Sequence, residues 1–247
     1  MARYGSDDVA FVLVDGYDIR GYLTTLDESR EASVEDTTVL GDGWQQQAAT
    51  GTKRYELSQE GFYDDEAGGV NESLVASNGA ARVMAFGFAG NATGQSFTGV
   101  AGPVQARYDR AATTGELHKA TAEYQASGAI EDGRIVHPLG AETTATGDSE
   151  ATPVDDGASS AAGAALYLGL TALALDGGTS VTITVEHSAD NITYTPLGAF
   201  AAVSAAPDAE RLVVAGTVNR YLAVSWSFAG AAGAGRSVTF MVGVARQ

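Results

Sequence analysis

Residues 34–65, VEDTTVLGDGWQQQAATGTKRYELSQEGFYDD, carry the clearest structural pattern in the chain. The second half of this stretch alternates: Tyr55, Leu57 and Gln59 point one way, while Arg54, Glu56, Ser58 and Glu60 point the other. A period of two residues is typical of a strand with one buried face and one solvated face. Between the two extended runs, residues 41–53 form a polar connection without an apolar period. The pattern predicts a long loop that projects from a rigid sheet.

Composition limits the function classes. The 247 residues are 45% hydrophobic, enough for one large or two ordinary domains, and the chain has no Cys, so disulfides and thiolate metal sites are excluded. The formal net charge of -17 disfavours a conventional binder of nucleic acids or anionic membranes. We expect no signal peptide and no membrane span, because the apolar runs are short and broken by Gly and Thr.

The rest of the N-terminal half also predicts strands. Residues 9–14 form an apolar strand that Asp15-Gly16 ends as a turn. Residues 70–77 predict one short helix with Asn71 as its N-cap. Residues 116–128 alternate, with His118, Ala120, Ala122, Tyr124 and Ala126 on an apolar face and Lys119, Thr121, Glu123, Gln125 and Ser127 on a polar one.

A change of composition predicts two domains. Residues 141–160 are rich in Thr, Ser, Asp and Gly, which is typical of a linker. Beyond them, short alternating runs such as those around Ile183, Trp226 and Phe240 indicate an antiparallel sandwich. The predicted fold is therefore all-β: a sandwich or barrel-forming domain (1–145), a linker (146–160) and a C-terminal β-sandwich (161–247).

Several of these pieces resemble the tail tube proteins of long-tailed, siphovirus-type viruses. The pieces are the opening stretch (VEDTTVLGD, a polar loop, then EGFYDD), DGYDIRGYLTTLDESREASVEDT at 15–37 and ELHKATAEYQASGAIEDGRIVHPLG at 116–140. More weakly, EHSADNITYTPL and NRYLAVSWSF resemble a sandwich module found at the ends of viral tail proteins. The resemblance implies a virion protein, made in the host cytoplasm, that forms stacked hexameric rings through which double-stranded DNA passes.

The resemblance also assigns roles to residues. Its loop contacts the adjacent ring, so the candidates for contact between rings are Trp44, Gln45, Gln46, Gln47 and Lys53. The candidates for the acidic lumen are Glu56, Ser58, Glu60, Thr121, Glu123 and Gln125. The implied partners are further copies of the chain, tape-measure and tail-terminator proteins, and DNA in transit. The C-terminal sandwich would decorate the outside, so removal of residues 161–247 should leave assembly largely intact.

No motif supports catalysis. The chain has no metal-binding His spacing, no nucleophile elbow and no phosphate-binding loop, and we expect no enzyme activity, cofactor or metal. His118 is predicted to be a core residue, and His137 and His187 surface residues. The carboxylates at 64–66 favour a solvated turn over a calcium loop. The alternative hypothesis is a surface adhesin that binds carbohydrate through its second domain.

Overall fold

The computed structural model describes residues 5–40, 42–66, 68–75, 79, 81–126, 128 and 130–247, without the side chains of Thr50 and Thr52. The described part contains one α-helix, α1 (Val70–Val75), and short 3-10 turns at Ser6–Asp8 and Arg20–Tyr22. The strands are β1 (Phe11–Val14), β2 (Tyr17–Asp18), β3 (Leu23–Asp36), β4 (Gln47–Phe62), β5 (Met84–Gly87), β6 (Ser96–Val100), β7 (Pro103–Ala111), β8 (Lys119–Ala126), β9 (Ile130–Glu142), β10 (Thr146–Asp148), β11 (Val154–Asp155), β12 (Ala164–Ala174), β13 (Gly178–Ser188), β14 (Thr195–Ala199), β15 (Asp208–Val214), β16 (Tyr221–Gly230) and β17 (Ser237–Arg246). The all-β prediction is confirmed.

The strands form three sheets. The shared sheet has the order β15-β12-β17-β9-β6-β5-β1-β2, the N-terminal sheet has the order β3-β4-β8-β7, and the C-terminal sheet has the order β10-β16-β13-β14 with β11 also paired to β16. The N-terminal and C-terminal sheets pack on opposite halves of the shared sheet. One apolar core joins β1 and β5 to β4 and β8, and a second joins β12 and β17 to β13 and β16.

The shared sheet curls until its two edges approach each other. A Cβ atom at Gly169 on β12 would lie 2.5 Å from Cδ1 of Leu13 on β1, and one at Gly16 would lie 2.4 Å from the carbonyl oxygen of Asp208. Gly16, which also has a positive φ, faces backbone atoms and leaves no room for a Cβ, whereas a Cβ at position 169 would displace the Leu13 side chain. A third buried cluster, which includes Phe97 and Tyr167, fills the concave side.

The two predicted halves share this sheet instead of being joined by a free linker. β9 pairs on one side with β6 and on the other with β17, from Val238↔Glu142 to Val244↔Arg134. Within the predicted linker, β10 and β11 pair with β16. The linker prediction for residues 146–160 is therefore wrong. Removal of residues 161–247 would take away β17, one of the two strands that pair with β9.

Local signals account for several elements. Asp15 and Gly16 both have positive φ, 49° and 84°, as a tight hairpin turn requires. β12 is buried on both faces from Ala164 to Leu170 because layers cover it on each side. The helix prediction at residues 70–75 is confirmed, and residues 76–78 lie outside the described residues. Asn71 lies inside the helix and accepts a hydrogen bond from Tyr108 (2.9 Å), so it is not the N-cap.

Candidate assembly interface

The polar face of the N-terminal sheet brings all six lumen candidates together. Cross-strand neighbours on β4 and β8 are Glu56↔Gln125, Ser58↔Glu123 and Glu60↔Thr121. Tyr55, Leu57 and Gln59 are buried on the opposite face, as the alternation predicts. A shallow groove of about 230 Å³ runs over this polar face beside Asp27, Glu56 and Glu123.

Ion pairs offset part of the negative charge on this face. Nζ of Lys119 lies 2.6 Å from Glu60, and Arg107 lies 3.2 Å from Glu123 and also pairs with Asp109. Hydrogen bonds to these carboxylates raise the pKa of both cations. The sequence pattern places Lys119 on this face, but it shows neither its pairing with Glu60 nor the position of Arg107, because the cross-strand partners come from distant segments.

The charged residues of this face still carry a net negative charge. The strand registers place nine of them here: Asp27, Glu31, Arg54, Glu56, Glu60, Arg107, Asp109, Lys119 and Glu123. Six of the nine are carboxylates and three are cations, so each copy contributes an excess of three negative charges. At neutral pH the face therefore repels a polyanion at close range.

The two edge strands of the N-terminal sheet run in opposite directions. Because β3, β4, β8 and β7 pair antiparallel in turn, β3 and β7 are antiparallel to each other. Both are exposed along much of their length; for example, Asp27 and Ser29 on β3 and Asp109 on β7 are exposed. In the described part of the chain, β3 forms a strand pair with β4 only, and the outer side of β7 is bridged only at its start, where Val104 faces Ala81. The remaining length of such edges is a template for another chain.

Beyond this sheet, β3 and β4 continue as a two-stranded ribbon, which we call the arm (residues 31–54). Its last pair is Asp36↔Gln47, whereas β8 pairs with β4 only from Glu56 to Phe62. The polar connection is therefore shorter than predicted: Gln47 and Lys53 lie in β4, and the tip comprises residues 37–46. Trp44, Gln45 and Gln46 lie in the tip, and Gly41 lies outside the described residues.

The tip is internally hydrogen-bonded. Asp36 accepts hydrogen bonds from the backbone N–H of Thr38 (2.9 Å), the Thr38 hydroxyl and the Gln45 amide (3.2 Å). These bonds, led by that from the hydroxyl, lower the pKa of Asp36. Asp42 accepts a bond from the Val39 N–H (3.0 Å). The tip thus has a defined shape.

The arm nevertheless exposes apolar side chains. Trp44 is 85% exposed and Leu40 fully exposed, and Val34 and Val39 are more than half exposed. An isolated two-stranded ribbon is marginal in water, and an exposed apolar cluster marks an interaction site.

The base of the arm is tied to the shared sheet. Arg30 donates two hydrogen bonds to Asp132 on β9 (2.6 and 2.9 Å), and Asp132 also accepts one from Thr98 (2.9 Å). Arg30 also pairs with Glu28. These contacts fix the direction in which the arm leaves the sheet, and the Arg30 hydrogen bonds lower the pKa of Asp132.

The opposite end of the same sheet carries a second apolar surface. A groove of about 580 Å³, which we call the end groove, is lined by Tyr22, Phe62, Tyr63, Asp64, Glu116, Leu117 and His118. Leu117 is 70% and Phe62 41% exposed. His118 is exposed beside Tyr63, so the prediction of a core histidine is wrong; β8 begins one residue later.

The other histidines do not form a metal site. His137 is buried, stacked on Phe240 at 4.2 Å, and its Nε2 lies 3.4 Å from Glu142, so the surface prediction is wrong. Burial lowers the pKa of His137 and of the half-buried His187, whose Nδ1 accepts a bond from the Asn219 N–H. Among the described residues, no group of His, Asp and Glu could hold a metal ion, and no helix is long and apolar enough to cross a bilayer.

Comparisons with known proteins give no sequence match: neither a family model nor a curated protein matches. Solved structures do match. A chain of the virion of a native gene transfer agent aligns with a TM-score of 0.42 at 15% identity, over 53% of this chain and 98% of that chain. A chain of the tail of an empty gene transfer agent particle, with C6 symmetry, aligns at 0.41 and 16% identity, over 52% and 97%.

A third match covers nearly the whole chain. It is the Dit protein of phage SPP1, described as a hub of the adsorption apparatus, at a TM-score of 0.34 and 10% identity over 95% of this chain and 98% of that chain. At these identities and TM-scores, the comparisons assign this chain neither to a family nor to a function.

Proposed function

We propose that this chain is a structural protein of a phage-type tail, which assembles as stacked rings into a tube that conducts double-stranded DNA. The observation that carries the proposal is the N-terminal sheet, which has two edge strands open over most of their length, one polar acidic face and one face packed on its own core. The resemblance of residues 15–140 to tail tube proteins supports the same reading.

The sheet has the topology that a closed ring needs. In a cyclic assembly, all copies point the same way along the axis. Since β3 and β7 are antiparallel, β7 of one copy can pair antiparallel with β3 of the next, and the ladder continues without inverting any copy. Closure removes the exposed edges of the four-stranded part of this sheet.

The size of such a barrel fits a conduit. With six copies, as the resemblance implies, the barrel has about 24 strands, and its circumference is roughly 115 Å at a spacing of about 4.8 Å. That exceeds the 16–18-stranded barrels that already enclose an aqueous channel.

The polar face would line this channel. Its excess of carboxylates repels phosphates within a Debye length of about 8 Å, so DNA would pass without being held. The paired cations Arg107 and Lys119 limit the repulsion between neighbouring copies. The shared and C-terminal sheets would lie outside the channel, and tape-measure and tail-terminator proteins are the expected further partners.

The alternative of an adhesin with a separate sugar-binding domain is weaker. It predicts an independent second module, whereas β9 and β17 belong to one sheet.

Ring closure can be tested by cross-linking, because the natural chain has no Cys. A variant with Asp109→Cys on β7 and, in turn, Thr25→Cys, Asp27→Cys or Ser29→Cys on β3 is oxidised mildly. Under non-reducing conditions, we expect a ladder of covalent oligomers that ends at the ring number. The single-Cys variants serve as controls. Monomer alone from all three pairs would contradict the proposal.

A further inference from the structure

We infer that the end groove is the receptor for the arm tip of a second copy, so that rings stack head to tail. This inference rests on the proposed function and adds the receiving surface to it. It gives Phe62 and Leu117, to which the sequence pattern assigns no role, a part in the contact between rings.

The positions of the two surfaces carry the inference. β3 and β4 run from the end groove at Leu23 and Phe62 to the arm tip at Asp36 and Gln47. The tip and the groove therefore lie at opposite ends of the same two strands. When copies are displaced along the strand direction, the tip of one copy meets the groove of the next. Such a contact joins different surfaces, does not close on itself, and generates a filament.

The chemistry of the two surfaces is complementary. The tip offers apolar Val39, Leu40 and Trp44 with glutamine amides and one carboxylate, Asp42. The groove offers an aromatic and aliphatic floor, including Phe62 and Leu117, between the carboxylates of Asp64 and Glu116. Indole and amide N–H groups are donors that such carboxylates accept. Because Asp64 and Glu116 would repel a strongly acidic segment, a tip with a single carboxylate suits this groove.

The size of the contact determines the order of assembly. A tryptophan side chain buries roughly 150–250 Å², whereas a stable interface needs about 800 Å² per partner. One tip in one groove is therefore a weak contact. A complete ring presents all its tips at once, and linked weak contacts gain by effective concentration. Rings should accordingly form first, and single copies should not add to a filament end.

Cross-linking tests the contact without altering its apolar residues. One protein carries Gln45→Cys beside Trp44, and a second carries Glu116→Cys beside Leu117. The two are mixed, oxidised mildly and resolved under non-reducing conditions. We expect a heterodimer band at least fivefold stronger than that from Gln45→Cys mixed with Thr193→Cys, an exposed position on the C-terminal half.

The imaging of a second variant separates the two proposals. Leu117→Ser, exposed and therefore expected to fold, should give single rings by electron microscopy where the unaltered protein gives tubes. The absence of rings from the unaltered protein would sink the proposed function. Tubes from Leu117→Ser, or a Glu116→Cys cross-link no stronger than the control, would overturn the inference while leaving the ring intact.

Discussion

Because the two halves share one sheet, a cavity in the C-terminal half should destabilise the N-terminal half as well. Phe240→Ala is the sharpest perturbation: the ring is fully buried on β17, stacks on His137 of β9 and contacts Trp226 at 6.0 Å between ring centroids. Truncating a buried Phe costs about 3–5 kcal/mol. For a chain of this size, each kcal/mol lowers Tm by about 2–4 °C, so the expected drop is roughly 6–20 °C.

The assay must follow each half separately. Trp226 is the only buried Trp, so in a Trp44→Phe background its fluorescence reports the C-terminal half. Amide hydrogen exchange of peptides from β1 and β5 reports the N-terminal half. We expect the fluorescence transition of Trp226 and the loss of exchange protection in β1 and β5 to occur at the same, lower temperature. Ile192→Ala, 81% exposed, is the control and should shift stability by no more than about 0.5 kcal/mol.

One result would refute this reasoning. If Phe240→Ala lowered the Trp226 transition by 10 °C or so and left exchange in β1 and β5 unchanged, the halves would be energetically independent. The shared sheet would then be a geometric feature without cooperative consequence.

Three further predictions concern single residues. Burial lowers the pKa of His137, so below about pH 6.5 the unfolded chain binds more protons than the folded one and the free energy of unfolding falls. His137→Phe should make this fall smaller when urea unfolding is measured between pH 7.5 and 5.5. An unaltered pH profile would show that His137 does not cause it. Arg211 donates hydrogen bonds of 2.6 and 2.8 Å to the buried carboxylate of Glu131. Arg211→Ala should therefore lower the free energy of unfolding by about 1.5–3 kcal/mol, and a decrease below about 0.5 kcal/mol, as is usual for surface substitutions, would contradict this. Asp36→Ala should speed amide exchange at Thr38 and Val39 with global stability unchanged; unchanged exchange there would show that Asp36 does not order the tip.

The sequence predicts the strands that bury one face and expose the other, because their residues alternate between apolar and polar. β4 beyond Arg54 and β8 each bury one face, so alternation of apolar and polar residues revealed them. The arm has solvent on both faces, and nothing imposes a period on residues 47–53. Their sequence therefore predicts a loop, although the residues pair with β3 as part of β4.

Other errors have equally physical causes. β10 and β11 pair through backbone groups, which any side chain permits, so Thr- and Gly-rich residues 146–155 looked like a linker. The alternation of apolar and polar residues does not show where a strand begins. It therefore wrongly places His118 inside a strand, whereas β8 begins at Lys119. The sequence pattern places His137 near a strand end, whereas β9 continues to Glu142 and packs beneath Trp226 and Phe240.

The end groove had no sequence signal, because Tyr22, Phe62 and Leu117 come from three separate segments. The same holds for the Arg30–Asp132 anchor, whose members are 102 positions apart. Long-range contacts of this kind depend on topology, which the local pattern does not fix.

If the N-terminal sheet is completed by identical neighbours, electron microscopy of the purified chain at high concentration should reveal it. We predict rings with a central channel lined by the face of Glu56, Glu60 and Glu123, stacked into tubes. Monodisperse single copies at every concentration, or rings with this face turned outward, would contradict the account.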